Sequence, residues 1–454
     1  MNATRDLKGK NVLVLGLGAS GVAACRLCAE KGAQVTGLDR RVPGEIDESA
    51  EQLRALGVNL LPDSENLEGH ADMLICSPGI PKTHPVITAC AERDIPVIGE
   101  IELGYWFCPC PIVAVTGTDG KSTVVSFIFN ALKEQNRPVR LAGNIGYAFC
   151  RMLLDDPPPE EAVCVLELSS YQLELIDTFR PYIAAILNIA PDHIKRHGTL
   201  DEYARAKYRI LENQTNKDYF VRPVSLPGSF HSDAITLFWN PHFHEMSGCF
   251  YDHRSQSLVV KFEGEKFKIA APELEELVPH QQENMLAALT VCLPLGLDLS
   301  KAFKSMQSFP GLPHRLEYLG SWSGVRYYND SKATNVHACQ AALKAIDAPI
   351  ILLAGGQIKD EDYTPLTNLL EQKVRRVIVF GQAREILEKE WAGKVDVVSE
   401  ATLEEAARIA IDQAVPGDTI LLSPACASFD RFQSFEQRGN FFKSLISDWV
   451  EKKR

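Results

Sequence analysis

Residues 111–123 read Pro111-Ile112-Val113-Ala114-Val115-Thr116-Gly117-Thr118-Asp119-Gly120-Lys121-Ser122-Thr123. A β-branched apolar run leads into a loop with two glycines and a Gly-Lys-Ser, and a helix-compatible stretch follows. Strand, glycine loop and helix in that order form a phosphate-binding unit. Backbone N–H groups over Gly117, Thr118, Asp119, Gly120 and Thr123 can cradle phosphate oxygens. Lys121 can neutralise the β and γ oxygens, and the Ser122 hydroxyl can reach Mg²⁺. The usual spacing places a glycine where Val115 stands, so the loop is a shortened version. A parallel α/β fold is predicted.

The same pattern recurs on both sides. Upstream, Asn11–Gly21 (NVLVLGLGASG) reads as strand, tight turn and helix, with strands also expected at Gln34–Leu38 and Asp72–Cys76 and a helix around Glu48–Leu56. Its Gly16-Leu17-Gly18-Ala19-Ser20-Gly21 fits a dinucleotide loop, and Asp39 ends the next strand where a ribose-binding acid would sit. Arg40 and Arg41 favour a ligand more anionic than NAD. Two readings stay open on these residues alone: an NAD(P) site, or a similar loop holding another phosphate. Downstream of the central loop, strands are expected at Ala162–Leu168 and Ile183–Ile189, antiparallel strands over Thr236–Ala270, and a helix over Gln281–Leu295. A third series follows Gly311, with strands at Val325–Asn329, Pro349–Ala354, Arg376–Phe380, Val395–Val398 and Asp418–Ser423 and an amphipathic helix at Leu403–Ala414. The expected architecture is three α/β domains: 1–100, Rossmann-like; 101–312, a P-loop-type ATPase domain with a small antiparallel sheet; and 313–454, Rossmann-like.

Composition narrows the function classes. The chain has 454 residues, 45% hydrophobic and 23% charged, so it is neither disordered nor fibrous. Forty-seven basic against 59 acidic residues give a net charge of −12, which argues against nucleic acid or an anionic membrane as main partner. No apolar run approaches the ~18 residues of a membrane span. The first residues lack a secretory pattern, so the 12 cysteines are expected to be reduced thiols in a cytoplasm. Cys25/Cys28 and Cys108/Cys110 each lack a partner pair at metal spacing, and zinc is not expected.

Several polar residues fall at strand ends, the usual ligand crevice of open α/β sheets. Glu167 ends the apolar run in VLELSSYQL and is either a metal ligand or an ordinary polar strand end. Asn188 ends the next, followed by Pro191-Asp192-His193-Ile194-Lys195-Arg196-His197-Gly198. His193 suits a magnesium or substrate contact, whereas His197 is expected to bond locally. In the last third, Asn329-Asp330-Ser331-Lys332-Ala333-Thr334-Asn335, Gly355–Lys359 and Ser423–Asp430 each follow a strand.

Together these motifs resemble the Mur ligases, the ATP-dependent amino-acid ligases of peptidoglycan synthesis, from about residue 10 to about residue 445. GTDGKST, VLELSSYQL, NIAPDHIKRHG, YARAK and GLPHRLE fall in the family's order. NDSKATN and LLSPACASFDRFQSFEQRG resemble the branch that adds D-glutamate. The resemblance implies that ATP phosphorylates the carboxylate of UDP-N-acetylmuramoyl-L-alanine and that the amine of D-glutamate displaces phosphate from the acyl phosphate. It makes the N-terminal glycine loop a site for the UDP moiety. It implies two Mg²⁺ sites served by Ser122, Glu167, His193 and a carbamylated Lys207, with Lys121 catalytic. Gln281, Arg315 and Asp330 would meet ATP. Ala19, Ser20, Arg40, Arg41, Gly79, Asn144, Ser169 and Gln172 would hold the sugar nucleotide, and Thr334, Lys359, Ser428, Phe429 and Phe435 D-glutamate. A monomer is expected.

The chain departs from the family at three of these places. Asp119 replaces the usual asparagine, Gln281 the asparagine expected at adenine, and Phe429 a common leucine. The alternatives are a related Mur or folylpolyglutamate-type ligase using another amino acid, an NAD(P)-dependent oxidoreductase that leaves GTDGKST unexplained, and a catalytically dead binding protein.

Overall fold

A computed structural model describes residues 6–40, 48–63, 69–240, 246–277, 279–358 and 362–452. It forms two compact units, Met1–Phe309 and Pro310–Arg454. The first holds two sheets and the second holds one.

The first sheet contains β1 (Asn11–Leu15), β2 (Gln34–Asp39), β3 (Asn59–Pro62), β4 (Met73–Cys76) and β5 (Val97–Gly99). All pairings are parallel, in the order β3-β2-β1-β4-β5. The order reverses between β1 and β4, so the loops after these two strands open a ligand crevice.

The second sheet runs through β6 (Ile112–Thr116), β7 (Val139–Gly143), β8 (Val163–Glu167), β9 (Ile183–Ile186), β10 (Tyr219–Arg222), β11 (Ile235–Trp239), β12 (Gly248–Asp252), β13 (Ser257–Phe262) and β14 (Glu265–Ala270). Their order is β14-β13-β12-β11-β10-β9-β6-β8-β7. Alternation along β6 sorts its side chains. Val113 and Val115 pack with residues of the helices Lys121–Glu134 and Pro279–Cys292, while Ile112 and Ala114 pack with Phe149 and Phe179. With both faces covered, every residue of β6 is buried, as a central parallel strand requires.

The expectation of antiparallel strands over Thr236–Ala270 holds for part of the segment and needs correction at β11. β11 pairs in parallel with β10 and with β12, and only β12-β13-β14 are antiparallel, extending the same nine-stranded sheet. Aromatic and β-branched residues mark a strand without marking its direction. The hairpin between β13 and β14 turns on Glu263 (φ 49°) and Gly264 (φ 84°), the two left-handed positions of a tight two-residue loop. β9 also stops at Ile186, short of the expected Ile189.

The C-terminal unit is built on β15 (Glu317–Trp322), β16 (Val325–Asn329), β17 (Ile350–Gly355), β18 (Val374–Phe380), β19 (Val397–Ser399) and β20 (Thr419–Ala425), ordered β15-β16-β20-β17-β18-β19. Only β15 runs antiparallel. The loops after β16, β17 and β20 therefore emerge at one edge of three adjacent strands. No described helix is long and apolar enough to cross a membrane.

Candidate functional site

The phosphate loop leaves β6 at Gly117 (φ 154°) and enters the helix Lys121–Glu134 through Gly120, whose φ of 82° is left-handed. A Cβ on Gly120 would sit 2.2 Å from Asn284 Oδ1, so the loop needs glycine for space as well as for conformation. Asn188, just past β9, accepts from the backbone N–H of Thr118 at 3.1 Å and of Asp119 at 2.8 Å, and donates to Asp119 O at 3.2 Å. Two of the amides expected to cradle phosphate are thus engaged by Asn188. The Thr118 hydroxyl donates to Ala190 O at 3.2 Å and lies 3.2 Å from the Tyr203 hydroxyl. Lys121 Nζ donates to the loop's own carbonyls, Gly117 O at 2.9 Å and Thr118 O at 2.7 Å. Ser122 is fully buried and Thr123 half-buried at the start of the helix. Asp119 is exposed, so the departure at this position carries no buried-charge cost.

Parallel register sets Glu167 beside Val115, one strand over from the loop. Its carboxylate is 1% exposed. Oε1 accepts from Asn144 Nδ2 at 2.7 Å, whereas buried Oε2 has no hydrogen-bond partner. Lys207 approaches from the helix Leu200–Tyr208. Its Nζ, also buried, donates to Gly117 O at 2.8 Å and to Thr116 Oγ1 at 3.4 Å and lies 4.6 Å from the centre of the Tyr203 ring. Burial, reinforced by the Lys121 cation, pushes the Lys207 amine well below the ordinary lysine value; Asp192, Asp119 and Glu167 oppose this only partly. His193 has a half-exposed side chain 3.4 Å from Asp192 and a ring centre 5.0 Å from that of Tyr171. His197 bonds locally as expected, to Ser170 Oγ at 3.0 Å and Glu174 at 3.3 Å.

A cavity of about 380 Å³ lies among several of these groups. Lys121, Asn144, Ser169, Gln172, His193 and Lys207 line it, and so does Ser20 from the N-terminal glycine loop. Ser169 and Gln172 also cap the short helix Ser170–Leu173 reciprocally. A larger cavity of about 740 Å³, lined by Arg205, Arg209 and Glu212 among others, includes no phosphate-loop residue.

In the first sheet, Ala19 opens the helix Ala19–Glu30. A Cβ on Gly21 would meet Gly16 O at 1.9 Å, so two glycines of the motif serve the tight turn itself. Asp39 Oδ2 accepts from Leu17 N at 2.7 Å, which gives the supposed ribose acid a role in shaping the loop. Arg40 and Gly79 are exposed, and Arg41 lies outside the described residues. Gln281 is exposed on the helix Pro279–Cys292, and the residue of that helix facing the phosphate loop is Asn284.

In the C-terminal unit, Asp330 is buried after β16. Its oxygens accept from Leu316 N at 3.1 Å and Ser423 Oγ at 2.8 Å, and burial raises its carboxyl to about 7. Arg315 is half-buried beside it. Thr334 and Phe435 are half-buried, Ser428 is buried, and Phe429 is 65% exposed. Lys359 lies outside the described residues. What ties these segments together went unread in the sequence. Arg438 is fully buried on the helix Phe435–Lys452 and donates to Ser331 Oγ (3.0 Å), Ser331 O (2.8 Å), Cys426 O (3.0 Å), Ala427 O (3.2 Å) and Gly355 O (3.4 Å). One side chain thereby fixes the loops after β16, β17 and β20. An arginine two residues after a glutamate on a helix looks like a solvated face, and only its burial reveals the role.

Three family models match the chain: the Mur ligase MurD-like N-terminal domain over residues 10–99, the Mur ligase middle domain over 115–292, and the Mur ligase glutamate ligase domain over 314–426. The UDP-N-acetylmuramoylalanine--D-glutamate ligase of Koribacter versatilis is 37% identical, over 99% of this chain and 100% of that protein. The enzyme of the same name from Chloroherpeton thalassium is 38% identical over 97% and 98%. Among solved structures, the UDP-N-acetylmuramate-alanine ligase MurC of Thermotoga maritima covers 98% of this chain and 100% of its own, with a TM-score of 0.57 at 16% identity, a likeness of fold alone. With identity above 30% sustained across both compact units and all three sheets, the chain belongs to the Mur ligase family.

Proposed function

We infer that the chain is an ADP-forming ligase that joins D-glutamate to UDP-N-acetylmuramoyl-L-alanine in peptidoglycan synthesis. The observation that carries the reading is the meeting of Lys121 and Lys207 at one phosphate loop, with Glu167 on the adjacent strand, in a chain whose relatives bearing that name match it end to end. ATP and Mg²⁺ are the cofactors. We assign residues 1–100 to the sugar nucleotide, 101–312 to ATP and 313–454 to the amino acid. Within these, the nucleotide is held by Ala19, Ser20, Arg40, Arg41, Gly79, Asn144, Ser169 and Gln172, and D-glutamate by Thr334, Lys359, Ser428, Phe429 and Phe435. Arg315 and Asp330 contact ATP.

The chemical obstacle is that a carboxylate is a poor electrophile and must meet a second anion. Lys121 leaves the loop carbonyls for the phosphate oxygens and offsets the charge that develops during transfer. The buried, unpartnered Oε2 of Glu167 and the buried hydroxyl of Ser122 fit a hard cation, and His193 stands at the cavity wall as a further ligand. When bound, Mg²⁺ supplies charge neutralisation between the reacting anions. Asn188 holds the loop in register throughout. The amine of D-glutamate attacks the acyl phosphate, forming the amide C–N bond as phosphate leaves.

Lys207 fits carbamylation. Burial and the Lys121 cation disfavour the protonated form of its amine, so the free lone pair can add to CO₂ with loss of a proton, placing a carboxylate in the neighbourhood of Glu167. Lys207→Ala should be nearly inactive and partly rescued by short carboxylic acids; full activity without rescue would remove the carbamate from the reading. The chain works as a cytoplasmic monomer.

The deciding experiment measures ADP release with UDP-N-acetylmuramoyl-L-alanine against a panel of D- and L-amino acids. D-glutamate should give the largest kcat/KM. Faster turnover of another amino acid would move the chain to a different branch of the family, and NADH binding without uridine-nucleotide binding would overturn the N-terminal assignment.

A further inference from the structure

We propose that Cys108, Cys110 and Cys164 form a binding site for one thiophilic metal ion of the zinc type, at the end of β6 opposite the phosphate loop. The sequence separates Cys164 from Cys108 and Cys110 by more than fifty positions, and no spacing rule joins the three. The fold joins them because β6 and β8 are neighbours, with Ile112 paired to Cys164. Cys110 lies two residues before β6, and Cys108 two residues earlier, directly after the helix Glu100–Phe107.

The geometry is that of a ligand set. The Sγ–Sγ distances are 3.7 Å (108–110), 3.7 Å (108–164) and 3.3 Å (110–164). Three sulfurs at ~2.3 Å from a tetrahedral ion stand about 3.8 Å apart, so a small outward adjustment would seat zinc on this face. Among the described residues, no other group of three histidine, cysteine or carboxylate side chains converges this closely. All three donors are sulfur, which selects a soft ion over magnesium. Cys110 and Cys164 are buried, while Cys108 is half-buried and gives the cluster its access to solvent, the source of a fourth ligand. Pro109 and Pro111 alternate with the two cysteines and fix the backbone between them, which reduces the ordering an ion must impose.

The position sets the consequence. An ion here pins the segment that connects the first sheet's last helix to β6, far from the reacting groups. It should therefore stabilise the chain and leave turnover unaltered.

The test uses the full-length protein, reduced and freed of metal, titrated with Co²⁺. One equivalent should bring a thiolate-to-cobalt charge-transfer band and the visible bands of tetrahedral cobalt, bleached by one equivalent of Zn²⁺. Zn²⁺ should also raise the melting temperature by several degrees. Cys108→Ser alters the half-buried member and is expected to fold; it should lose the charge-transfer band and the thermal shift. Cys25→Ser, in the Cys25/Cys28 pair of the first domain, should keep both. No charge-transfer band in the wild type, a band unchanged in Cys108→Ser, or a Cys110–Cys164 disulfide by intact mass after reduction and desalting would each overturn the proposal. Ligase turnover, measured alongside, fails or succeeds independently of it.

Discussion

Replacing Arg438 should separate amino-acid binding from binding of the sugar nucleotide. Its guanidinium is fully buried and donates to neutral groups, a serine hydroxyl and four backbone carbonyls. Arg438→Met fills a similar volume and removes all five donations. Ala427 O keeps the Gln357 N–H at 2.8 Å, and the 3.4 Å contact to Gly355 O is weak. Ser331 O loses its 2.8 Å donor and is left stranded. At about 1–3 kcal/mol for a buried unpaired group, that loss dominates. Burying the cation has its own cost, seen in the Arg438 pKa being pushed down to about 10, and the methionine recovers part of it. We expect a net destabilisation of about 1–2 kcal/mol in the C-terminal unit. Arg438→Lys keeps the charge but cannot span three loops, so it should fold with a smaller loss. Denaturant unfolding checks the stability. Steady-state kinetics of Arg438→Lys check the positioning: KM for D-glutamate should rise about tenfold or more, because small misplacements are costly. KM for the sugar nucleotide should stay within about twofold, an interaction difference well under 1 kcal/mol. A lysine variant with both constants unchanged, or one in which both rise together, would refute the claim that Arg438 acts by holding the amino-acid loops.

Glu167→Gln should leave the fold intact, since Asn144 can still donate to the amide oxygen, but should lower kcat by about 10²-fold and steepen its magnesium dependence; kcat measured across a magnesium series checks this. Gly120→Ala must hold a left-handed φ of 82° and push Asn284 aside, costing ~1–2 kcal/mol for the backbone alone; lower melting temperature and weaker ATP binding by calorimetry are expected. Asp119→Asn removes only an exposed charge and should change stability by less than ~0.5 kcal/mol, with turnover near normal. Asp330 is raised in the folded chain to about 7 from 3.8, so the native state binds the extra proton: its contribution is fully present below pH ~4 and lost as pH rises through about 7. Denaturant midpoints of Asp330→Asn should accordingly fall less steeply over that range than those of the wild type.

Strand–loop–helix units were legible because burial on both faces demands unbroken apolar runs and tight turns demand glycine, and both leave marks in the sequence. Ile112–Thr116 is such a run, and all five residues are buried. Direction left no mark: Ile235–Trp239 reads as a strand whichever way its neighbour points, and it was expected antiparallel where the fold makes it parallel. Short strands such as Tyr219–Arg222 were missed because four residues hold too little pattern. The motif residues around Gly117–Thr123 fell where expected, yet their supports did not show. Asn188 and Asn284 are ordinary polar residues until strand order brings one, and helix packing the other, against the loop. Asp39 looked like a ribose ligand because it occupies the right strand end, while its carboxylate accepts from Leu17 N within its own loop.

Two lysines meet at one carbonyl of the phosphate loop, and that sharing bears on how the loop can receive ATP. Gly117 O accepts from Lys121 Nζ at 2.9 Å and from Lys207 Nζ at 2.8 Å. If Lys121 alone held it, drawing Lys121 onto a phosphate would strand a buried carbonyl, at about 1–3 kcal/mol against binding. With Lys207 in place, Lys121 can leave and Gly117 O stays paired. Thr118 O, the second acceptor of Lys121, belongs to a half-buried residue and can turn to water. The same proximity makes Lys121 depress the Lys207 amine, so the two groups do not act as a pair of equal cations. Lys207 is buried, and its nitrogen keeps the loop's backbone satisfied; Lys121 is the cation that follows the phosphate. Loss of Lys207 should therefore weaken ATP binding as well as the later chemical step, whereas loss of Lys121 leaves the loop paired and removes chiefly the charge that the transferring phosphoryl group requires.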